Sequence, residues 1–114
     1  MDKSEKTAIY RLHAEFCKTL ADANRLLIIT ELGQGELSVN ELATRLDLNQ
    51  SNVSKHLALM RERGLVVARR EGSSVYYSLS DSRISEALRL LREVQVERLE
   101  KQRRLAQSLP ESAF

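Results

Sequence analysis

The chain predicts a mainly α-helical domain of about five helices carrying one small β-hairpin. Three observations predict it. Apolar residues recur at spacings of 3 and 4 through most of the 114 residues, the signature of one-sided helices. That period breaks only once, over residues 65–80, where β-branched and aromatic side chains gather around a glycine-containing tetrapeptide. One proline, four glycines, 30% charged and 4% aromatic residues fit a helical domain better than a β-sandwich or a disordered chain. The length suffices for one domain with one modest core, so residues 1–114 are read as a single domain.

The elements follow in order. Ile9, Leu12, Phe16 and Leu20 draw one stripe along a first helix over 4–20. Asp22 is placed to cap a second helix over about 22–32, which ends at Gly33 and Gly35. Its segment "RLLIITEL" is apolar nearly all round, which predicts a central, buried helix. Ser38 and Glu41 form the Ser-x-x-Glu pattern of a capping box and open a short third helix to about Leu46. Its inner face is Val39, Leu42, Ala43 and Leu46. "DLN" supplies a tight turn. A fourth helix runs from about Gln50 to Arg63 and stops at Gly64, with Val53, Leu57 and Met60 inward and Leu59 flanking.

"LVVARR" and "VYYSLS" then read as two strands joined by a turn over "EGSS", residues 71–74. From Ser82 to Ser108 the helical period returns, with Ile84, Leu88, Leu91, Val94, Leu99 and Leu105 on one stripe. A helix of that length spans roughly 40 Å, more than a domain of this size covers, and a bare apolar stripe usually finds a second chain. Residues 1–20 and 82–108 are therefore the expected dimer interface.

Charge is nearly balanced overall, at +2, but uneven along the chain. Residues 1–40 hold five Lys/Arg and six Asp/Glu; residues 41–80 hold six and four; residues 81–114 hold seven and six. The middle third is the most basic, which points a polyanion partner there. A single cysteine, Cys17, excludes an internal disulfide and a cysteine-cluster metal site. The N-terminus lacks the apolar core of a signal peptide, and no apolar run approaches the roughly 18 residues of a membrane span. A cytoplasmic protein with no membrane partner is expected.

Helix, tight turn and a second helix opening on small amide and hydroxyl side chains make a helix-turn-helix arrangement. A helix N-terminus offers free N–H groups and the positive end of its dipole to a phosphate chain. Gln50 and Asn52 present donor and acceptor together and pair well with adenine edges; Ser51 and Ser54 suit phosphate or base contacts, and Lys55 adds charge. The same stretch also reads as an N-cap and a solvated turn. Arg69 and Arg70 at the neck of the hairpin, with its small flexible tip, suit contacts to the DNA backbone or minor groove, or serve as ordinary edge-strand charges.

Across about residues 8–95 the chain resembles the ArsR-type (ArsR/SmtB) winged helix-turn-helix regulators. "FCKTLADANRLLIITEL" is similar to their first and second helices, "LDLNQSNVSKHLALMRERGLV" to their recognition helix, and "RREGSSVYYSLS" to their wing. The resemblance implies a homodimer, built from the first and last helices, that binds an imperfect palindrome in double-stranded DNA and usually represses transcription. By motif position, Gln50, Ser51, Asn52, Ser54 and Lys55 face DNA, Arg70 and Gly72 match the wing, and His56 falls on a position that is more often structural. Asp22-Ala23-Asn24 departs from the family, which commonly has a proline there; Asp22 still caps the helix.

Many such regulators carry Cys-x-Cys where this chain has Ser38-Val39-Asn40, and thiolates are the soft ligands that bind zinc, cadmium or arsenite. A second family site on the last helix uses Asp and His from each chain. Here Asp81 is present, Arg83 stands at the His position, and no His follows His56, so Asp81 reads as an N-cap. No metal and no cofactor are expected. A redox branch of the family uses a cysteine pair, but Thr30 occupies approximately the first position and the C-terminal region has no cysteine. Cys17 is then a small buried or boundary side chain, or an oxidation-sensitive thiol near the dimer interface. His13, one turn before it, would complete only a poor two-ligand metal site.

No glycine-rich phosphate loop, paired carboxylates or Ser/His/Asp order suggests an enzyme. The competing class is a winged-helix protein-interaction module that reads no DNA. The inducing signal, the operator and the target genes are not written in one chain.

Overall fold

In the computed structural model, residues 1–113 are described. Five α-helices and three β-strands follow one another as α1 Lys3–Leu20, α2 Ala23–Leu32, β1 Leu37–Ser38, α3 Val39–Leu46, α4 Gln50–Glu62, β2 Val66–Glu71, β3 Ser74–Leu79 and α5 Arg83–Ser108, with a 3-10 turn at Glu111–Ala113. The helix starts are set by side-chain caps. Asp2 accepts from Glu5 N, Asp22 from Arg25 N, and Asn49 from Ser51 N and Asn52 N. Ser38 and Glu41 exchange both bonds of the capping box.

α3 and α4 are joined by three residues. Asp47 closes α3 in the left-handed region (φ 52°), which a short polar side chain tolerates, and Leu48 N donates back to Ala43 O. α4 ends in a Schellman motif. Gly64 takes φ 79°, Leu65 N donates to Met60 O at 2.8 Å, and Gly64 N donates to Arg61 O at 3.1 Å. The Ser80 hydroxyl donates to Gly64 O at 2.7 Å, which ties the far end of the hairpin to the end of α4.

The core is the meeting of α2, α3, α4 and the base of the sheet. Ile28, Ile29, Leu42, Val53, Leu57, Met60 and Leu65 are fully buried. Val53, Leu57 and Met60 lie at i, i+4 and i+7, one face of α4, as their spacing predicts. Leu20 brings only the end of α1 into the core, and Ile84 and Leu88 only the start of α5.

Four sequence expectations change. The hairpin gains a third strand: β1 pairs antiparallel with β3, giving the order β1-β3-β2. The strands take in Glu71 and Ser74, the outer residues of the four-residue "EGSS" turn, which pair with each other and leave a two-residue loop. Gly72 leads that loop with φ 62°, which such turns require. α2 is not buried all round. Its Ile28 and Ile29 are covered, but Leu26 and Leu27 are 38% and 46% exposed. Asp81 does cap the start of α5 by accepting from Arg83 N at 2.9 Å, although Ser82 is the residue at the N-cap position and makes no cap bond.

The radius of gyration is 18.4 Å, against roughly 13 Å for a compact chain of this length. The excess is in α1 and α5, which project from the core. Their stripes are bare: Leu12 is 70% and Leu91 60% exposed, and Ile9, Val94, Leu99 and Leu105 are exposed with them. No helix is long and apolar enough to cross a membrane among the described residues.

Candidate nucleic-acid interface

α4 is divided lengthwise. Burial of Val53, Leu57 and Met60 turns Gln50, Ser51, Asn52, Ser54 and Lys55 outward, and all five are exposed. The first turn is held in place by its neighbours. The Asn49 amide oxygen accepts from Ser51 N at 2.9 Å, from Asn52 N at 3.3 Å and from the Ser51 hydroxyl at 2.6 Å. The Gln50 side-chain amide donates to the Asn40 side-chain oxygen on α3. Asn40 is a residue the sequence reading did not place at the site; it bridges the two helices of the motif. Among the described residues, Asn52, Ser54 and Lys55 have no side-chain hydrogen-bond partner, so a surface of amide, hydroxyl and ammonium groups faces outward beside the positive end of a 13-residue helix.

His56 points the other way. It is half-buried, and its Nδ1 lies 3.4 Å from Nη1 of Arg25, whose Nε donates to Thr19 O at 2.5 Å. The chain thereby joins the end of α1, the start of α2 and the middle of α4. A hydrogen bond from the backbone N–H of Arg25, followed by its guanidinium charge, holds the Asp22 carboxyl below the usual carboxylate range.

The two wing arginines separate. Strand alternation puts Arg69 and Arg70 on opposite faces. Arg69 binds Glu36 twice, Nε to Oε2 at 3.0 Å and Nη2 to Oε1 at 2.6 Å, and binds Glu71 Oε2 at 2.8 Å. Its guanidinium sits 5.1 Å from the centre of the Tyr76 ring. Arg70 is exposed at the neighbouring position and forms no ion pair among the described residues, and Gly72 makes the tip.

The positions of the family's metal ligands are engaged otherwise. Ser38 caps α3, Asn40 holds Gln50, and Arg83 binds Asp81 through Nη2 at 2.7 Å and Nε at 3.0 Å. Those bonds hold the Asp81 carboxyl at about 2. Among the described residues no three His, Cys, Asp or Glu side chains are grouped to hold a metal ion. Cys17 is exposed, not buried, and lines an apolar groove of about 420 Å³ between α1 and α5 with Ile9, Leu12, His13, Phe16, Ile84 and Leu88.

A three-stranded wing beside a helix-turn-helix, with a polar reading face on its second helix, defines a winged helix-turn-helix DNA-binding module. Comparison with known proteins places it further. The sequence profile described as "Bacterial regulatory protein, arsR family" matches residues 22–67. The transcriptional activator HlyU of Vibrio cholerae is 41% identical over 91 residues, 80% of each chain. The arsenical resistance operon repressor of Escherichia coli is 46% identical over 72 residues, 62% of each chain. Reduced HlyU from Vibrio cholerae superposes with a TM-score of 0.71 at 38% identity, covering 79% of this chain and 95% of that one. A homodimeric winged helix-turn-helix DNA-binding domain from Mycobacterium bovis, solved by NMR, gives 0.76 at 34% identity, covering 88% and 93%. The chain belongs to the arsR family of bacterial regulatory proteins; it is a DNA-binding transcriptional regulator and not an enzyme.

Proposed function

We propose that this regulator is a cytoplasmic homodimeric repressor that reads an imperfect palindrome in double-stranded DNA through the N-terminal half of α4. The carrying observation is the division of α4: an apolar face sunk in the core and Gln50, Ser51, Asn52, Ser54 and Lys55 presented on the other side. Gln50 and Asn52 would read base edges, Ser51, Ser54 and Lys55 would hold phosphates, and Arg70 with the Gly72 tip would reach the flanking backbone. The bare stripes of α1 and α5, residues 1–20 and 82–108, support pairing with a second copy, as in the homodimeric Mycobacterium bovis domain. Repression is the mode implied by the family resemblance and shared with the named Escherichia coli relative. We read the protein as no metal sensor of the Cys-x-Cys kind, because Ser38 and Asn40 occupy those positions in structural bonds, and Arg83 is bonded to Asp81 at the second site.

The test is titration of operator and random duplexes. Lys55→Ala is expected to weaken binding to all sequences and to reduce the salt slope by about 0.9. Gln50→Ala is expected to narrow the gap between operator and random DNA, by about 1–3 kcal/mol if its amide grips an adenine. Unchanged binding in both variants removes α4 as the reader and leaves the protein-interaction module. Thiol control is a second reading, favoured by the exposure of Cys17 in the α1–α5 groove. Peroxide would oxidise two Cys17 thiols to one intersubunit disulfide and leave as water, giving a reducible dimer on a non-reducing gel.

A further inference from the structure

The sequence offers Arg69 as a DNA contact or as an ordinary edge-strand charge, and it is the most heavily bonded arginine of the wing. Two carboxylates surround it, so Glu36, Arg69 and Glu71 together carry net charge −1. A cluster of that sign does not attract a phosphate chain. The topology shows what the cluster does instead. The sheet order is β1-β3-β2, so the Arg69 side chain starts on β2, passes over Tyr76 on β3 and reaches Glu36 immediately before β1. It therefore spans all three strands. β1 in turn runs without a break into α3, since Ser38 is both its last residue and the N-cap of that helix.

We propose that Arg69 is a positioning residue: the Glu36–Arg69–Tyr76 clamp sets the wing against the helix-turn-helix, and Arg70, on the opposite face, carries the wing's charge to DNA. The inference rests on the DNA-reading function above and assigns the wing arginines two different roles. The fork of Arg69 on Glu36 is bidentate, a geometry that lysine does not reproduce. The same bonds hold the Glu36 carboxyl below the usual carboxylate range.

Full-length variants titrated on the duplex enriched from a random pool, across a salt series, test the assignment. Glu36→Gln and Arg69→Gln should each weaken binding by about three- to tenfold with the salt slope unchanged, and the double variant should be no weaker than either. Arg69→Lys should behave like Arg69→Gln, although it keeps the charge. Arg70→Gln should weaken binding and lower the salt slope by about 0.9. Circular dichroism of each variant checks that the helices are intact. The proposal is overturned if Glu36→Gln tightens binding by unmasking Arg69, if Arg69→Gln lowers the salt slope by about 0.9, or if Arg69→Lys retains full affinity. Those results, with Lys55→Ala still weakening binding, would remove the clamp and leave the DNA reader standing. If Lys55→Ala and Arg70→Gln were also silent, the DNA reading itself would fall.

Discussion

Asn49 separates the two roles a polar residue has at the head of a recognition helix. Its Oδ1 accepts from two amides of α4 and from the Ser51 hydroxyl, at 2.9, 3.3 and 2.6 Å. Replacing an N-cap side chain by alanine costs about 0.5–2 kcal/mol. Two amides and a hydroxyl lose their acceptor here, so Asn49→Ala belongs in the upper half, about 1.5 kcal/mol. With an unfolding entropy near 2.1 cal/mol/K per residue, that corresponds to about 6 °C in melting temperature. Asn49→Gly should cost only a few tenths of a kcal/mol, since glycine leaves the amides to water. Asn49→Asp should keep the protein stable, because a carboxylate caps well at the positive end of a helix. It should nevertheless weaken DNA binding at least about tenfold by setting a negative charge beside phosphate. Thermal melts by circular dichroism and anisotropy titration of a labelled duplex measure the two effects on the same samples. An Asn49→Ala protein that melts with the wild type would refute the cap. An Asn49→Asp protein with full DNA affinity would refute a phosphate-facing α4.

Other expectations follow from packing and charge. A Cβ on Gly33 would stand 2.8 Å from Ser85 Cβ and 3.2 Å from Thr30 O, so Gly33→Ala should cost about 1–3 kcal/mol by prising α5 from α2. Adding Ser85→Gly should return most of it in chemical denaturation; a Gly33→Ala protein of wild-type stability would contradict that contact. Leu12→Asp removes an apolar side chain worth about 1.5–3 kcal/mol from the proposed dimer surface and should raise the dimer dissociation constant at least tenfold in sedimentation, whereas an unchanged constant would move the interface elsewhere. Asp81 is held at about 2, below the usual carboxylate range, chiefly by hydrogen bonds from Arg83. A depressed folded pKa gives stability that is present above the unfolded value and lost as pH falls through the folded one. Asp81→Asn should therefore flatten the stability profile between about pH 4 and 2, and an unaltered acid limb would show that the pair contributes nothing.

The helices were legible because their ends are chemical. Asp22, Ser38 with Glu41, and Gly64 are caps that sequence displays directly, and the α4 core face follows from spacing alone. β1 was not legible: two residues, Leu37 and Ser38, are too few to show a period of two. The reach of Arg69 to Glu36 was hidden for another reason. The partners are 33 residues apart and meet only because β3 lies between their strands. The same holds for Gln50 and Asn40, and for Arg25 and His56, whose meeting depends on how helices cross. α2 misled because "RLLIITEL" shows how apolar a helix is but not how many neighbours one protomer supplies; Leu26 and Leu27 stay exposed. The candidate reading surface itself was foreseeable, since polar residues at helical positions opposite a buried stripe must face outward.

Selection of bound DNA from a random pool by the purified full-length protein, at near-physiological salt, tests the central claim most directly. Enrichment of a palindrome with half-sites about one helical turn apart is the predicted result, because two α4 helices of a symmetric dimer would enter successive major grooves on one face of the duplex. Recovery of unenriched random DNA, or of no DNA at all, would contradict a sequence-reading role for Gln50–Lys55.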